Sequence, residues 1–326
     1  MIITKTPFRV SFFGGGTDLR EYYEKYGGYT IGSTINKYCY ITLRKLPPFF
    51  KNKYRIVWSK IELVNDIKYI IHPCIKSVIK NYNIQDGLEI IHASDLPARS
   101  GIGSSSSFSV GLLNCINALN NKRINKLSLA KEAINLEQNI LKEHVGSQDQ
   151  IWAAYGGFNE IFFNKNGFEV KKINITEEKK KKLSDKLIMF FTGKSRYSGI
   201  IEKNKIENLE KKKNYYHTIK EFAMSSKRIF EGNKSLDNIG HFLDEYWKLK
   251  KNLSSKITDK NINEIYSEAK KLGALGGKVL GAGGGGFIMF YANQNVQKKL
   301  VNRFYKLTKV KFNFSNEGSE TIFNNE

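Results

Sequence analysis

Proline is scarce in this chain, five residues in 326, and cysteine scarcer still at three. So little proline excludes a polyproline or collagen-like rod. An odd handful of cysteines excludes a disulfide-stapled secreted scaffold. Cys39, Cys74 and Cys115 lie in apolar strand-like or helical surroundings and read as reduced core residues, which points to the cytoplasm. No run approaches the roughly 20 apolar residues that a membrane-crossing helix needs. The opening "MIITKTPFRVSFF" shows no charged leader, apolar segment or small-residue cleavage site, so a signal peptide is not expected. Acidic residues are also few, 31 against 53 lysines and arginines, a net charge of +22. That excess invites a nucleic-acid reading. The lysines, however, accompany Asn and Ile along the whole chain and run through polar helical segments. Neither a nucleic-acid nor a membrane partner is therefore expected. The positive charge would still recruit anionic small molecules.

What is present is a globular composition, 40% hydrophobic and 13% aromatic, long enough for two domains. The first 45 residues read as strand, glycine turn, short helix and strand. Strand-like segments follow at 54–63 and 87–97, with a helical one at 74–82. Residues 104–120 form an amphipathic pattern with Phe108, Leu112, Cys115 and Leu119 on one face, and 127–143 form a second helix. The charged stretch 171–186, low in apolar residues, is the expected domain boundary. Beyond it come a buried strand at 187–193, and charged helices over roughly 196–231, 235–252 and 259–273. An apolar strand "FIMFYA", a last helix near 294–307 and a strand at 309–314 complete the chain. Strands and helices mix without regular βαβ alternation, which implies two α+β domains, 1–180 and 181–326.

Three glycine clusters stand out: "FFGGGTD" at 12–18, "PARSGIGSSSS" at 97–107 and "LGAGGGGF" at 280–287. None fits the two best-known nucleotide motifs. "FTGKS" at 191–195 ends like a P-loop, but Ile188 occupies the place of the required first glycine. "GAGGGG" at 281–286 satisfies G-x-G-x-x-G, yet it follows a helix-like segment and opens a strand, the reverse of the dinucleotide fold. The middle cluster is different. Gly101 and Gly103 let the backbone curl, and Ser104 to Ser107 open a helix whose first N–H groups have no intrahelical partner. Phosphate suits that end through hydrogen bonds and the helix dipole, and a serine hydroxyl there can ligate Mg²⁺. One serine would suffice as an ordinary cap; four with two glycines favour phosphate.

Two carboxylates add chemistry. Glu137 falls on the apolar stripe Ala130, Ala133, Ile134 and Leu141, where an unpaired acid must find a cation or stay protonated. The alternative is a stripe edge where it reaches solvent. Asp149, in "HVGSQDQIWAAYGG", is either a turn or cap residue or a group that orients or deprotonates an attacking hydroxyl.

These residues resemble the GHMP kinases, the superfamily of galactokinase, homoserine kinase, mevalonate kinase and phosphomevalonate kinase. "TPFRVSFFGGGTD" is similar to A-P-G-R with a downstream T-D, "LPARSGIGSSSSFSV" to P-x-x-x-G-L-G-S-S-A, and "KVLGAGGGGF" to K-x-x-G-x-G-G-G-G. The resemblance implies a ribosomal-protein-like N-terminal domain and a ferredoxin-like C-terminal domain, with ATP between them. It further implies that Ser100, Gly101, Ile102, Gly103, Ser104, Ser105 and Ser106 wrap the ATP phosphates, and that Ser105 with Glu137 holds Mg²⁺. Asp149 takes the catalytic aspartate position, "SQDQ" being similar to I-M-D-Q of galactokinases, and Arg9 the position that stabilises charge on the transferring phosphoryl group. Asp18, with Gly15, Gly16 and Thr17, faces the sugar, as do Gly284 and Gly285 of the last cluster.

Phe8 in place of the family glycine, and "GGGTD" in place of G-E-H-T-D, resemble the branch of bacterial D-glycero-D-manno-heptose 7-phosphate kinases and the kinase portion of fucokinases. That branch implies phosphorylation of the anomeric hydroxyl of a sugar phosphate, serving nucleotide-activated heptose. "TGKSRYSG" at 192–199 is similar to a heptose-kinase segment, making Lys194 and Arg196 the candidates for the 7-phosphate. A kinase for an unphosphorylated fucose-, mannose- or galactose-like sugar, and a non-catalytic sugar sensor on the same scaffold, are the alternatives. A homo-oligomer stays open.

Overall fold

The computed structural model describes residues 1–194, 198–232 and 235–325. In chain order the elements are β1 (Ile2–Phe13), α1 (Arg20–Tyr26), β2 (Gly28–Lys45), β3 (Tyr54–Val57), β4 (Ile61–Val64), α2 (Pro73–Asn81), β5 (Leu88–Ser94), α3 (Ser104–Leu119), α4 (Lys126–Asn135), α5 (Gln148–Tyr155), β6 (Phe158–Asn164) and β7 (Gly167–Lys172). There follow α6 (Glu177–Asp185), β8 (Leu187–Phe191), α7 (Ser198–Glu207), α8 (Leu209–Glu231), α9 (Asp237–Lys251), α10 (Lys260–Lys271), β9 (Gly276–Val279), β10 (Phe287–Tyr291), α11 (Gln294–Arg303), β11 (Thr308–Val310), β12 (Phe314–Ser315) and β13 (Glu320–Asn324).

The first sheet runs β13-β1-β2-β5-β3-β4, with β6 and β12 also pairing with the long β2, and β7 beyond β6. In β1 the side chains of Phe8, Val10 and Phe12 go to the core, and Arg9 and Ser11 alternate to the other face. The β1–β2 register shifts between Pro7 and Phe8, where proline has no N–H to give the ladder. That irregularity sits immediately before Arg9. Helix α3 covers this sheet and is buried on nearly every side, against β1 and β2 on one flank and α4 and α5 on another. The amphipathic expectation was too modest: Ser106, Ser107 and Ser109 are as inaccessible as Phe108 and Leu112.

The second sheet, β11-β8-β10-β9, is antiparallel throughout. Counting its strands in sequence gives the order 4-1-3-2 of a ferredoxin-like βαββαβ unit, with four helices rather than one between its first two strands. Aromatic contacts knit the halves together. Phe12 meets Phe230 of α8 at 5.4 Å between ring centres, and Phe13 meets Tyr246 of α9 at 5.4 Å. Each such fully buried ring contributes about 1.5–3 kcal/mol. All three cysteines are buried and free.

The charged stretch 171–186, where the domain boundary is expected, is mostly α6, capped by the Thr176 side chain, and its Lys180 is buried against Glu177 and Asn316. The second unit does not keep everything up to residue 326. β12 and β13 return to the first sheet, β13 pairing with the start of β1.

Candidate active site

Arg9 is almost wholly buried, with its guanidinium fully engaged. Its Nε and Nη2 donate to Asp149 Oδ1 and Oδ2, both at 2.7 Å, and its Nη1 donates to the Gly101 carbonyl at 2.7 Å. This is a bidentate pair, the most directional arrangement available to arginine and carboxylate. Asp149 enters from the first turn of α5 and keeps 24% of its side chain exposed. One strand, one helix and one loop thus meet at two side chains that the sequence separates by 140 positions.

The loop that accepts from Arg9 has its own glycine logic. Gly101 and Gly103 adopt φ of +84° and +75°, the left-handed region where a side chain is strained. Gly103 is the residue before α3, and no side chain caps that helix. Ser104 instead accepts from the Arg99 N–H at 3.1 Å, so the serine run is not an ordinary cap. Ile102 is core, and its carbonyl accepts from the Arg9 N–H; the Ser100 carbonyl accepts from Phe287 N at 3.0 Å. The last glycine cluster seats this loop. A methyl group on Gly281 would come within 2.6 Å of Gly101 Cα, and one on Gly286 within 2.2 Å of the Ser100 oxygen. Gly284 donates to the Ile257 carbonyl, and Gly285 packs against the backbone of Lys194. The close approaches of this cluster are to protein backbone.

Glu137 is fully buried in a single π-helical turn, Leu136–Ile140, that continues α4, so the expected helix 127–143 is interrupted at the residue of interest. Ser106 Oγ donates to its Oε2 at 2.9 Å, and Gln150 Nε2 donates to the same oxygen. Oε1 has no hydrogen-bond partner among the described residues. Burial, with only neutral donors nearby, pushes the carboxyl up to about 7. Ser105, expected to hold Mg²⁺ with Glu137, makes no direct hydrogen bond to it among the described residues. Ser105 is exposed, and the helical turn brings its neighbour Ser106 onto Glu137. The oxygen-only donor set and the orphan Oε1 suit Mg²⁺, which takes one or two carboxylates and completes its shell with phosphate and water. No cluster of three or more His, Cys, Asp or Glu able to hold a metal exists among the described residues.

Asp18 is nearly inaccessible. Its Oδ1 accepts from Gly16 N at 2.8 Å, and its backbone carbonyl accepts from Ser147 N, docking the 14–18 loop onto the start of α5. Burial first, then the negative charge of Glu202, raises its carboxyl to about 6. The Thr17 hydroxyl donates to the Gly14 and Tyr29 carbonyls and holds the turn. Gly15 accepts from Tyr246 OH through its carbonyl. Lys194 is half-exposed and paired with Asp259 at 3.1 Å; Arg196 lies outside the described residues.

Profiles of known families match both halves: the GHMP kinases N terminal domain over residues 68–157 and the GHMP kinases C terminal over residues 228–307. The chain is also 31% identical to the D-glycero-alpha-D-manno-heptose 7-phosphate kinase of Campylobacter jejuni, over 94% of this chain and 93% of that one. This protein belongs to the GHMP kinases. It is 23% identical to a Pyrococcus furiosus galactokinase over 96% of its length and 95% of the other's. Its fold matches that of a D-glycero-D-manno-heptose 1-phosphate kinase from Bacteroides thetaiotaomicron with a TM-score of 0.81, 23% identity and full coverage of both chains. As a GHMP kinase it is a sugar or sugar-phosphate kinase.

Sequence reasoning did not single out Gln150, which donates to Glu137, nor several buried polar residues of the second half that lie around these loops. Lys278 on β9 is buried and donates to the Ser11 and Phe12 carbonyls at 2.6 and 2.9 Å, its ammonium 4.7 Å from the Tyr246 ring centre. Burial and the neighbouring cations hold its pKa well below the ordinary lysine value. Lys250 on α9 donates to the Gly281 and Val279 carbonyls, and burial brings it to about 7. Glu202 and Lys205 on α7 pair at 2.9 Å. Lys278 leads the third glycine motif, which was a usable signal. Lys250 and Lys205 carried none, being indistinguishable by type from the solvated lysines beside them.

Proposed function

We propose that this GHMP kinase transfers the γ-phosphoryl group of ATP to the anomeric hydroxyl of D-glycero-D-manno-heptose 7-phosphate. The carrying observation is the bidentate Arg9–Asp149 pair set beneath a glycine-flanked, uncapped helix N-terminus. The α3 N–H groups would receive the phosphates. In the transfer the sugar oxygen bonds to phosphorus as the bridging P–O bond to ADP breaks, and the hydroxyl proton leaves. Both Asp149 oxygens are engaged by Arg9, so Asp149 orients the hydroxyl and takes its proton on a remaining lone pair. Arg9 offsets the charge that spreads over the phosphoryl oxygens. Glu137, with a hydroxyl from the first turn of α3, would hold Mg²⁺, which when bound neutralises phosphate charge. Half-buried Trp58, fixed through its Nε1–H to Glu62 at 2.8 Å, is the candidate adenine platform.

The sugar assignment draws on the Campylobacter jejuni relative, whose name gives a 7-phosphate substrate, while the Bacteroides thetaiotaomicron neighbour is named for a 1-phosphate. A second reading, a kinase for an unphosphorylated sugar, is favoured by the engagement of Lys194 with Asp259. An ADP-release assay across heptose 7-phosphate, heptose 1-phosphate, free heptose, fucose, mannose and galactose separates these. The expected result is a kcat/KM for the 7-phosphate at least about 10-fold above every other sugar. Equal or better turnover of a free sugar overturns the assignment.

A further inference from the structure

We propose that Glu202 and Tyr216, from α7 and α8, complete with Asp18 the pocket that reads the sugar's hydroxyl groups. Four buried polar atoms have no hydrogen-bond partner among the described residues: Ser11 Oγ, Gln148 Oε1 and Tyr216 OH, on residues that belong to the 11–18 segment or pack against it, and Glu202 Oε2 on α7. Buried polar groups in folded proteins are almost always paired, so these orphans call for a partner from outside the chain, water or ligand. The glycines of this loop place the first three residues. A methyl group on Gly15 would lie 3.5 Å from Gln148 Nε2, 3.6 Å from Tyr246 OH and 3.8 Å from Ser11 Oγ. One on Gly16 would lie 3.3 Å from the Tyr216 ring, and the Gly16 N–H itself holds Asp18.

The chemistry of the set is that of a hydroxyl-rich ligand. Lys205, buried, ties down one oxygen of Glu202 and leaves the other without a donor. Ser254 Oγ donates to Asn204 Oδ1 at 2.6 Å, so α7 is braced against the chain that follows α9. After burial, the negative charge of Glu202 also raises the Asp18 and Tyr216 pKa values. Carboxylates such as Asp18 and Glu202 accept hydrogen bonds from sugar hydroxyls. A protonated phenol beside them both donates and accepts, and the Gln148 amide oxygen accepts. This end of the site therefore suits the polyol part of the sugar.

The inference rests on the sugar lying between Asp18 and Asp149, as proposed above, and wild-type turnover in the sugar panel tests that reading separately. With whichever sugar the wild type uses best, steady-state kinetics and calorimetric binding are measured for Glu202→Gln and Tyr216→Phe. A charge-assisted hydrogen bond lost from the sugar should raise its KM and Kd about 10-fold or more in Glu202→Gln. The loss should be about 3-fold or more in Tyr216→Phe, with kcat and the KM for ATP within about 3-fold of wild type. Unchanged sugar KM and Kd in both variants, or a loss confined to kcat, overturns the proposal. Tyr216→Phe removes a single oxygen from a packed ring, so it decides the matter if Glu202→Gln does not fold.

Discussion

Glu137 is the residue at which sequence and structure speak most directly to each other. A carboxylate on an apolar stripe is costly, and here it is wholly buried with its folded pKa raised from 4.5 to about 7. The sign follows from linkage. Below pH 4.5 both folded and unfolded chains hold the proton; between 4.5 and 7 the unfolded chain releases it first, so stability falls as pH rises and is flat above 7. Replacing Glu137 with Gln should therefore leave the melting temperature unchanged near pH 4. Above pH 7, without metal, it should raise stability by about 3 kcal/mol, measured by denaturant titration. Turnover should fall steeply in the same variant. The cost of the buried acid was legible from spacing alone. Its partner was not, because whether Ser105 or Ser106 faces Glu137 depends on where α3 begins, and a one-residue difference turns the helix by about 100°.

At the level of elements, the three glycine clusters were visible in the sequence, but their mutual packing was not. Gly284 and Gly285 were expected to face the sugar; the protein neighbours of their cluster are the 100–101 backbone, Ile257 and Lys194. Local signals report which residues permit tight turns; they carry nothing about which turn lies on which. Gly101→Ala tests the seat. A methyl there meets the Leu280 oxygen at 2.5 Å with φ at +84°. The variant should lose about 2–4 kcal/mol of stability by thermal or denaturant melting, and most of its turnover, because the loop also anchors Arg9. The amphipathic reading of α3 fell short for a related reason. Small serines and Gly111 do not register as apolar, yet they are what let the helix lie close to β1 and β2 on its polar side.

For the molecule as a whole, the two-domain α+β expectation matches the two sheets, and the departure is the tail. β13 pairs with residues 2–5 of β1, Ser319 Oγ reaches Thr6 and Asn114, and Ser319 N donates to the Ala153 carbonyl of α5. The segment thus grips both the strand that carries Arg9 and the helix that carries Asp149. Its strands are short and half-polar, which is why no period-2 signal marked them. Ending the chain after Asn313 should lower the melting temperature by roughly 5–10 °C. It should also reduce kcat more than it raises the KM for ATP.

The amine of Lys278 crosses from one sheet to the carbonyl oxygens of the other, with no carboxylate beside it among its hydrogen-bond partners. Prising the halves apart would leave that nitrogen and two carbonyls without partners in an apolar gap, a penalty of several kcal/mol before any packing is lost. The two lobes are thus riveted at their centre.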